Sequence, residues 1–213
     1  MIIFGFISTR LAFSFVIYGV FIIATGLGLV GALWCAITTL QSLYHRIKTS
    51  SRLPLSFLGM ILAHLGMAMF VAGVTMVMTY HHEKDVRLEP GSTYELSGYE
   101  FKFIGVKNVD GPNYTAQEGH LEVSDQGEKI ADLHPQKRAY SGMGSPMPMT
   151  EASVDTNLVR DLYAAMGEQL GDTAWSLRLY YKPMISWIWL GCLFMTAGGV
   201  LAVSDRRYRQ KRS

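Results

Sequence analysis

The stretch FLGMILAHLGMAMFVAGVTMVMTY, residues 57–80, is an apolar run with one histidine, His64, deep inside it. An imidazole at that depth is costly unless it binds something, so its neighbours decide what it could do. Helical steps of 100° place Phe57, Met60, Ile61, Met67, Ala68, Val71 and Thr75 on the His64 side. Gly59, Gly66 and Gly73, seven residues apart, fall on the opposite side. The glycine side permits close approach of another helix backbone. The histidine side offers one nitrogen ligand on a greasy, sulfur-rich wall, with Met60, Met67 and Val71 as candidate lining, which suits a buried haem iron. Two other readings fit the same spacing. The imidazole can hydrogen-bond to a neighbouring helix while the methionines simply pack. It can also serve a proton relay, although no second ionisable group falls in an apolar run. His45 sits in a basic loop and His120 and His134 in the polar part of the chain. His81 and His82 close the run, where a pair could touch a haem propionate or a metal but a solvated edge explains it as well.

The elements that must hold His64 are plain from composition. Nearly half of the 213 residues are hydrophobic, and three uncharged blocks concentrate them: 11–40, 55–80 and 184–204. Each is long enough to cross a hydrocarbon core of about 30 Å. The first is too long for a signal peptide and lacks a basic start and a small-residue cleavage site. If the second helix starts near Leu55, His64 lies roughly 14 Å along it, close to the bilayer midplane. The segment YHRIKTSSR between the first two blocks and the tail DRRYRQKRS after the third are rich in arginine and lysine. Residues 81–182 carry 10 basic and 16 acidic side chains, a net −6, against a net +8 elsewhere. The positive-inside rule therefore places the basic segments in the cytoplasm. The expected organisation is a periplasmic N-terminus at 1–10, spans at 11–40 and 55–80, a cytoplasmic loop at 41–54, a periplasmic domain at 81–183, a span at 184–204 and a cytoplasmic tail at 205–213. The expected location is the bacterial inner membrane, and nucleic acid is not an expected partner. Cys35 and Cys192 lie in different spans near opposite faces and form no C-x-x-C, so neither is given a redox or metal role.

The acidic segment reads as β structure. STYELSGYEFKFIGVKNV alternates apolar and polar residues about a turn at Ser97–Gly98, and DQGE marks a second hairpin turn. SGMGSPMPM breaks the pattern, LVRDLYAAM fits helix or strand, and AWSLRLYY places Trp175, Leu177, Leu179 and Tyr181 on one face. The expected fold is an integral membrane protein of three transmembrane α-helices with an inserted antiparallel β-barrel or sandwich.

RLPLSFLGMILAHLGMAMFVAGVTM resembles the haem-ligating span of the CcmF/NrfE family, the haem lyase subunits of cytochrome c maturation. YELSGYEFKFIGVKNVDGPNYTAQEGHLEV is similar to the start of that family's periplasmic domain. MTEASVDTNLVRDLYAAMGE and GDTAWSLRLYYKPMISWIWLGCLFMTAGGVLAVSDRRYR are similar to its C-terminal signature. The resemblance covers most of residues 50–209 in order. It implies that His64 is an axial ligand of a membrane-embedded haem b, that haem is also substrate, and that the reaction joins haem to an apocytochrome c through thioether bonds. It further implies an N-terminal CcmF-like chain or segment as partner, with CcmH/CcmI-type proteins, the haem chaperone CcmE and apocytochrome c.

The chain has no tryptophan-rich WWD segment and none of the family's other haem-ligating histidines. It is therefore expected to correspond to the family's C-terminal third, as a split subunit or a fragment. Alone it should lack ligase activity and bind haem poorly, and its glycine row should face lipid. A b-type electron-transfer subunit and a non-enzymatic scaffold presenting the β-domain are the alternatives.

Overall fold

The computed structural model describes residues 2–50, 53–140 and 147–205, with the side chains of 2–18, 21 and 147 excepted. Arg52 and the basic residues after Asp205, on which the orientation argument leans, lie outside the described residues. The chain divides into a helical unit and a β unit, Tyr80–Pro183.

The helical unit contains α1 (Ile2–Thr49), α2 (Leu55–Tyr80) and α3 (Ile185–Val203). All three are long and apolar enough to cross a membrane, α1 over Ile22–Thr49. Helix α1 continues past residue 40 through most of the segment expected to be a loop. Nothing between 41 and 49 breaks it, and the Ser42 and Thr49 hydroxyls bond back to the carbonyls of Thr38 and His45. Arg46 and Lys48 occupy its last turn, where cations oppose the helix dipole. Pro54 then supplies the carbonyl for the first turn of α2, accepting the N–H groups of Phe57 and Leu58.

The glycine row of α2 does not face lipid, contrary to expectation: α3 covers it. An added Cβ on Gly66 would lie 2.7 Å from the Gly191 carbonyl oxygen and 2.8 Å from the Met195 nitrogen. One on Gly191 would lie 2.6 Å from the Gly66 oxygen, and Gly59 and Gly198 oppose each other in the same way. The reason is that α3 carries its own glycines seven apart, so the two antiparallel backbones close on one another within the chain. Helix α1 packs beside α2 by different means. Thr25 and Thr79 share a 2.8 Å hydroxyl bond, Gly28 makes room for Thr75, and the Arg46 guanidinium lies 5.7 Å over the Phe57 ring. Asp205, just past α3, accepts the Ser56 N–H of the first turn of α2 at 3.0 Å, a carboxylate at the positive end of a helix.

The β unit is a two-sheet antiparallel sandwich. One sheet has the order β1 (His82–Leu88), β10 (Ala174–Pro183), β9 (Arg160–Leu170), β8 (Ser153–Thr156). The other runs β2 (Thr93–Leu96), β3 (Tyr99–Asp110), β4 (Tyr114–Asp125), β6 (Gln136–Tyr140), β7 (Met147–Glu151), with β5 (Glu128–Leu133) also paired to β4. Phe101, Phe103, Leu121 and Val123 from one sheet meet Leu162, Met166, Leu177 and Leu179 from the other in one buried core. The period of two places them there, since alternate residues of each strand share a face. Both expected turns are left-handed pairs, Ser97–Gly98 with φ of 55° and 85° and Gln126–Gly127 with 50° and 84°, as two-residue hairpins require.

The ambiguous LVRDLYAAM resolves as strand. Leu162, Ala164 and Met166 alternate inward once β10 lies alongside. The expected break SGMGSPMPM becomes strand from Met147, residues 141–146 being outside the description. Pro148 is tolerated in β7 because this is an edge strand, the place in a sheet that accommodates proline.

Candidate functional site

His64 lies on an exposed face of α2, away from the buried Gly59, Gly66 and Gly73. Its Nδ1 is 2.8 Å from the Met60 carbonyl oxygen one turn earlier. A carbonyl only accepts, so Nδ1 carries the hydrogen, and in the neutral ring it is Nε2 that keeps the lone pair. The helix thus fixes both ring orientation and tautomer without a second residue's side chain, in the manner of the outer hydrogen bonds that orient metal-bound imidazoles. Met60 and Met67 flank it, 39% and 47% exposed, and Val71 is half-buried further along. Ile61 and Ala68, placed on the same side by helical stepping, are buried. The open strip is narrower than the sequence suggests: one imidazole between two thioethers. The Cys35 thiol of α1 donates to the His64 carbonyl at 3.5 Å, a contact that sequence reasoning missed.

Haem fits this donor set. A neutral imidazole with a free Nε2 is a suitable iron ligand, and Met60 and Met67 offer polarizable apolar surface. Other histidines are engaged differently. His45 is exposed on α1, and the His82 Nδ1 lies 3.0 Å from the Ser97 hydroxyl.

The β unit holds a second cluster that sequence reasoning passed over. His120 Nε2 lies 2.9 Å from Asp132, and Lys129 bridges Asp132 at 2.8 Å and Glu122 at 3.0 Å. The ring of His134 stacks on that of His120 with centroids 4.7 Å apart. Glu118, nearly buried, accepts Lys107 at 2.9 Å and the Gln136 amide at 2.5 Å. The sequence signal was a mirrored triplet, His120-Leu121-Glu122 and Asp132-Leu133-His134, about the Gln126–Gly127 turn. Pairing Leu121 with Leu133 puts the polar members of both triplets on one face. His120, Glu122 and Asp132 have metal-ligand spacing, their ligand atoms within 4.8 Å of one another. The Lys129 ammonium already supplies the positive charge between the two carboxylates, and the cluster is fully accounted for as an ion network.

The Lys107 hydrogen bond holds the Glu118 carboxyl below its ordinary value of 4.5, outweighing the opposing effect of burial. A depressed folded value means that the stabilisation is present above the ordinary value and is lost as pH falls through the folded one. The melting temperature of the β unit within the intact chain is therefore expected to fall on acidification below 4.5. Glu118→Gln should lower it at neutral pH and flatten that fall. A wild-type slope unchanged in the variant would refute the assignment.

Comparison with known proteins bears on both units. The family model described as the CcmF C-terminal beta-sandwich matches residues 79–183. The cytochrome c-type biogenesis protein CcmF of Pseudomonas aeruginosa is 49% identical over 156 residues, covering 73% of this chain and 23% of that protein. CcmF of Escherichia coli is 39% identical over 215 residues, covering 99% of this chain and 33% of the relative. The cytochrome c-type biogenesis protein NrfE of Haemophilus influenzae is 35% identical over 181 residues, covering 85% and 27%. The chain thus spans a quarter to a third of the relatives' length. A solved structure titled cytochrome c heme lyase CcmF superposes with a TM-score of 0.64 at 22% identity, over 87% of this chain and 34% of that one, a likeness of fold. With matches that run through the helices as well as the sandwich, the chain belongs to the CcmF/NrfE family of cytochrome c-type biogenesis proteins.

Proposed function

We propose that this chain acts in cytochrome c biogenesis by supplying one axial ligand, His64 Nε2, to a haem b in the membrane. In this reading it contributes its β-domain, on the periplasmic side, to attachment of haem to apocytochrome c. The observation that carries the proposal is the Nδ1–Met60 hydrogen bond, which leaves Nε2 for a ligand on a face of α2 that the described residues leave open. Bound there, the haem iron would supply one-electron chemistry toward the haem being attached. The chain's own work is to hold the imidazole in one tautomer, keep water off with Met60 and Met67, and lock α2 against α3. Attachment adds an apocytochrome thiol S–H across a haem vinyl group, forming a thioether without net electron transfer. A second axial nitrogen must come from outside the described helices, whose apolar spans offer no other imidazole at that depth. An N-terminal CcmF-like chain or segment is the expected source. CcmE, CcmH/CcmI-type proteins and apocytochrome c complete the proposed assembly.

Reduced-minus-oxidised spectra test this reading. The chain co-expressed with such a partner should show a bis-histidine b-type signal, and the chain alone little or none. A complex active in maturation but free of b-type haem would overturn it.

Orientation follows from charge. Arg46 and Lys48 end α1, and the tail after Asp205 is basic. A reporter fused after Ser213 should be active only in the cytoplasm, and one inserted at Gly127 only outside it. The reverse pattern would refute the charge argument.

A further inference from the structure

The sandwich is unlike at its two ends. Strand β1 begins at His82, two residues after α2 ends at Tyr80, and β10 ends at Pro183, two before α3 begins at Ile185. The register sets Pro183 opposite Arg160 and Thr156 opposite Asp161, so the β8–β9 loop, 157–159, lies at the end of the sheet where the chain passes to both helices. That loop is far from either helix in sequence, yet its tip is apolar: Leu158 and Val159 are 65% and 67% exposed. The tip is also built rigidly. The Asn157 side-chain oxygen accepts the N–H groups of Val159 and Arg160, both at 2.8 Å, and the Asn157 N–H donates to the Arg160 carbonyl at 3.0 Å. At the other end of the same sheet the β9–β10 turn is Gly171-Asp172-Thr173, exposed and polar.

The outer face next to the loop has a matching composition. Tyr163 and Tyr180 pair edge-to-face with centroids 4.8 Å apart, and the Lys182 ammonium lies 5.7 and 5.0 Å from their ring centres. Tyr180 stands three residues from Pro183, about 10 Å along a strand. Tyrosines with a lysine that can extend along them are the side chains favoured at the junction of headgroups and water, in a layer roughly 5–8 Å deep per leaflet. Burial pushes the Asp161 carboxyl in this region upward, toward its neutral form. Glu83, opposite Tyr180, pairs with Arg178 at 3.5 Å, and Arg178 also takes Asp85. Formal charge at this end is largely paired: Arg160, beside the loop, with Asp155, and Glu83, level with Tyr180, with Arg178.

We propose that the β8–β9 loop is a lipid-binding tip: Leu158 and Val159 insert at the headgroup–acyl boundary, and Tyr163, Tyr180 and Lys182 sit at headgroup level. An apolar pair on a rigid turn, ringed by interfacial side chains, recognises a lipid surface through burial of its aliphatic carbons. This inference does not depend on haem or on His64. Its function would be to fix the tilt of the sandwich against the bilayer, giving a β-domain tethered at two points a third support.

The test uses the full chain in lipid nanodiscs with Cys35 and Cys192 replaced by alanine. An environment-sensitive fluorophore is placed on Val159→Cys or Asp172→Cys. The label at 159 should emit to the blue of that at 172, be quenched by nitroxide-bearing lipid and resist aqueous iodide. The label at 172 should behave in the opposite way. Equal iodide quenching at both sites would overturn the proposal. So would shielding of position 159 from both quenchers, which would mean that protein covers the tip. A second readout keeps both native cysteines: a membrane-impermeant maleimide, counted by mass, should add to Asp172→Cys quickly and to Val159→Cys slowly. Equal rates would overturn the proposal independently of the cysteine-free background.

Discussion

His64→Ala is expected to remove the b-haem signal from the assembled complex and to abolish maturation of a reporter cytochrome c. The size of the effect follows from the ligand count. A haem held by two axial nitrogens loses half its axial ligation when one goes, and no other described apolar segment carries an imidazole at that depth to replace it. Fold should not confound the result, because the side chain is exposed and its hydrogen bond goes to a carbonyl of its own helix. His64→Gly should be equally inactive, but added imidazole should restore part of the haem signal by occupying the vacated space. His45→Ala and His134→Ala should leave both readouts intact, since neither residue lies on α2. Met67→Leu keeps an apolar wall and should retain haem. Full haem absorbance in the His64→Ala complex would sink the assignment.

The contrast between His64 and His120 shows what composition reveals. His64 stands out as a candidate because one imidazole in an apolar helix has few reasons to be there. The cluster about His120 was hidden because polar residues on an exposed strand are ordinary. What distinguishes it is cross-strand pairing, and the mirrored His-Leu-Glu and Asp-Leu-His triplets encode that pairing only once the Gln126–Gly127 turn fixes the register. The tautomer of His64 was equally out of reach: it depends on the ring turning toward the Met60 carbonyl.

The sandwich itself was readable from alternation and turn chemistry, and its ambiguous stretch shows where that reading ends. In LVRDLYAAM, Leu162, Ala164 and Met166 follow a period of two, while Leu158, Leu162 and Ala165 suit a helix equally. Pairing with β10 decides the matter, and local sequence holds no information on that partner. Asp205 was another miss. It heads a basic tail in the sequence, yet it accepts a backbone N–H at the start of α2, 149 residues away.

The seam between α2 and α3 allows a sharper test than any change at the ligand, because it asks the same chemical question at two adjacent positions. Gly198→Ala is expected to destabilise the helical unit, and Gly199→Ala to leave it unchanged or firmer. A Cβ on Gly198 would lie 2.5 Å from the Gly59 carbonyl oxygen and 2.6 Å from the Ala63 nitrogen. Both are backbone atoms of a packed helix and cannot swing aside, so the two axes must part. Overpacking of this kind costs about 1–3 kcal/mol. A Cβ on Gly199 meets nothing within 4 Å. There the methyl group adds only helix propensity, up to about 1 kcal/mol in water and less in lipid. At roughly 2–4 °C per kcal/mol for a chain of this length, the two variants should diverge by several degrees, with Gly198→Ala the lower. The measurement is the temperature at which half of the reconstituted chain remains monodisperse after heating. Gly66→Leu, facing the Gly191 oxygen and the Met195 nitrogen, should fall further than Gly198→Ala. It should also weaken haem retention in the complex, since α2 carries His64 on its other side and a displaced helix moves the imidazole with it. Equal melting of the Gly198→Ala and Gly199→Ala chains would show that the glycine seam does not hold the helices together.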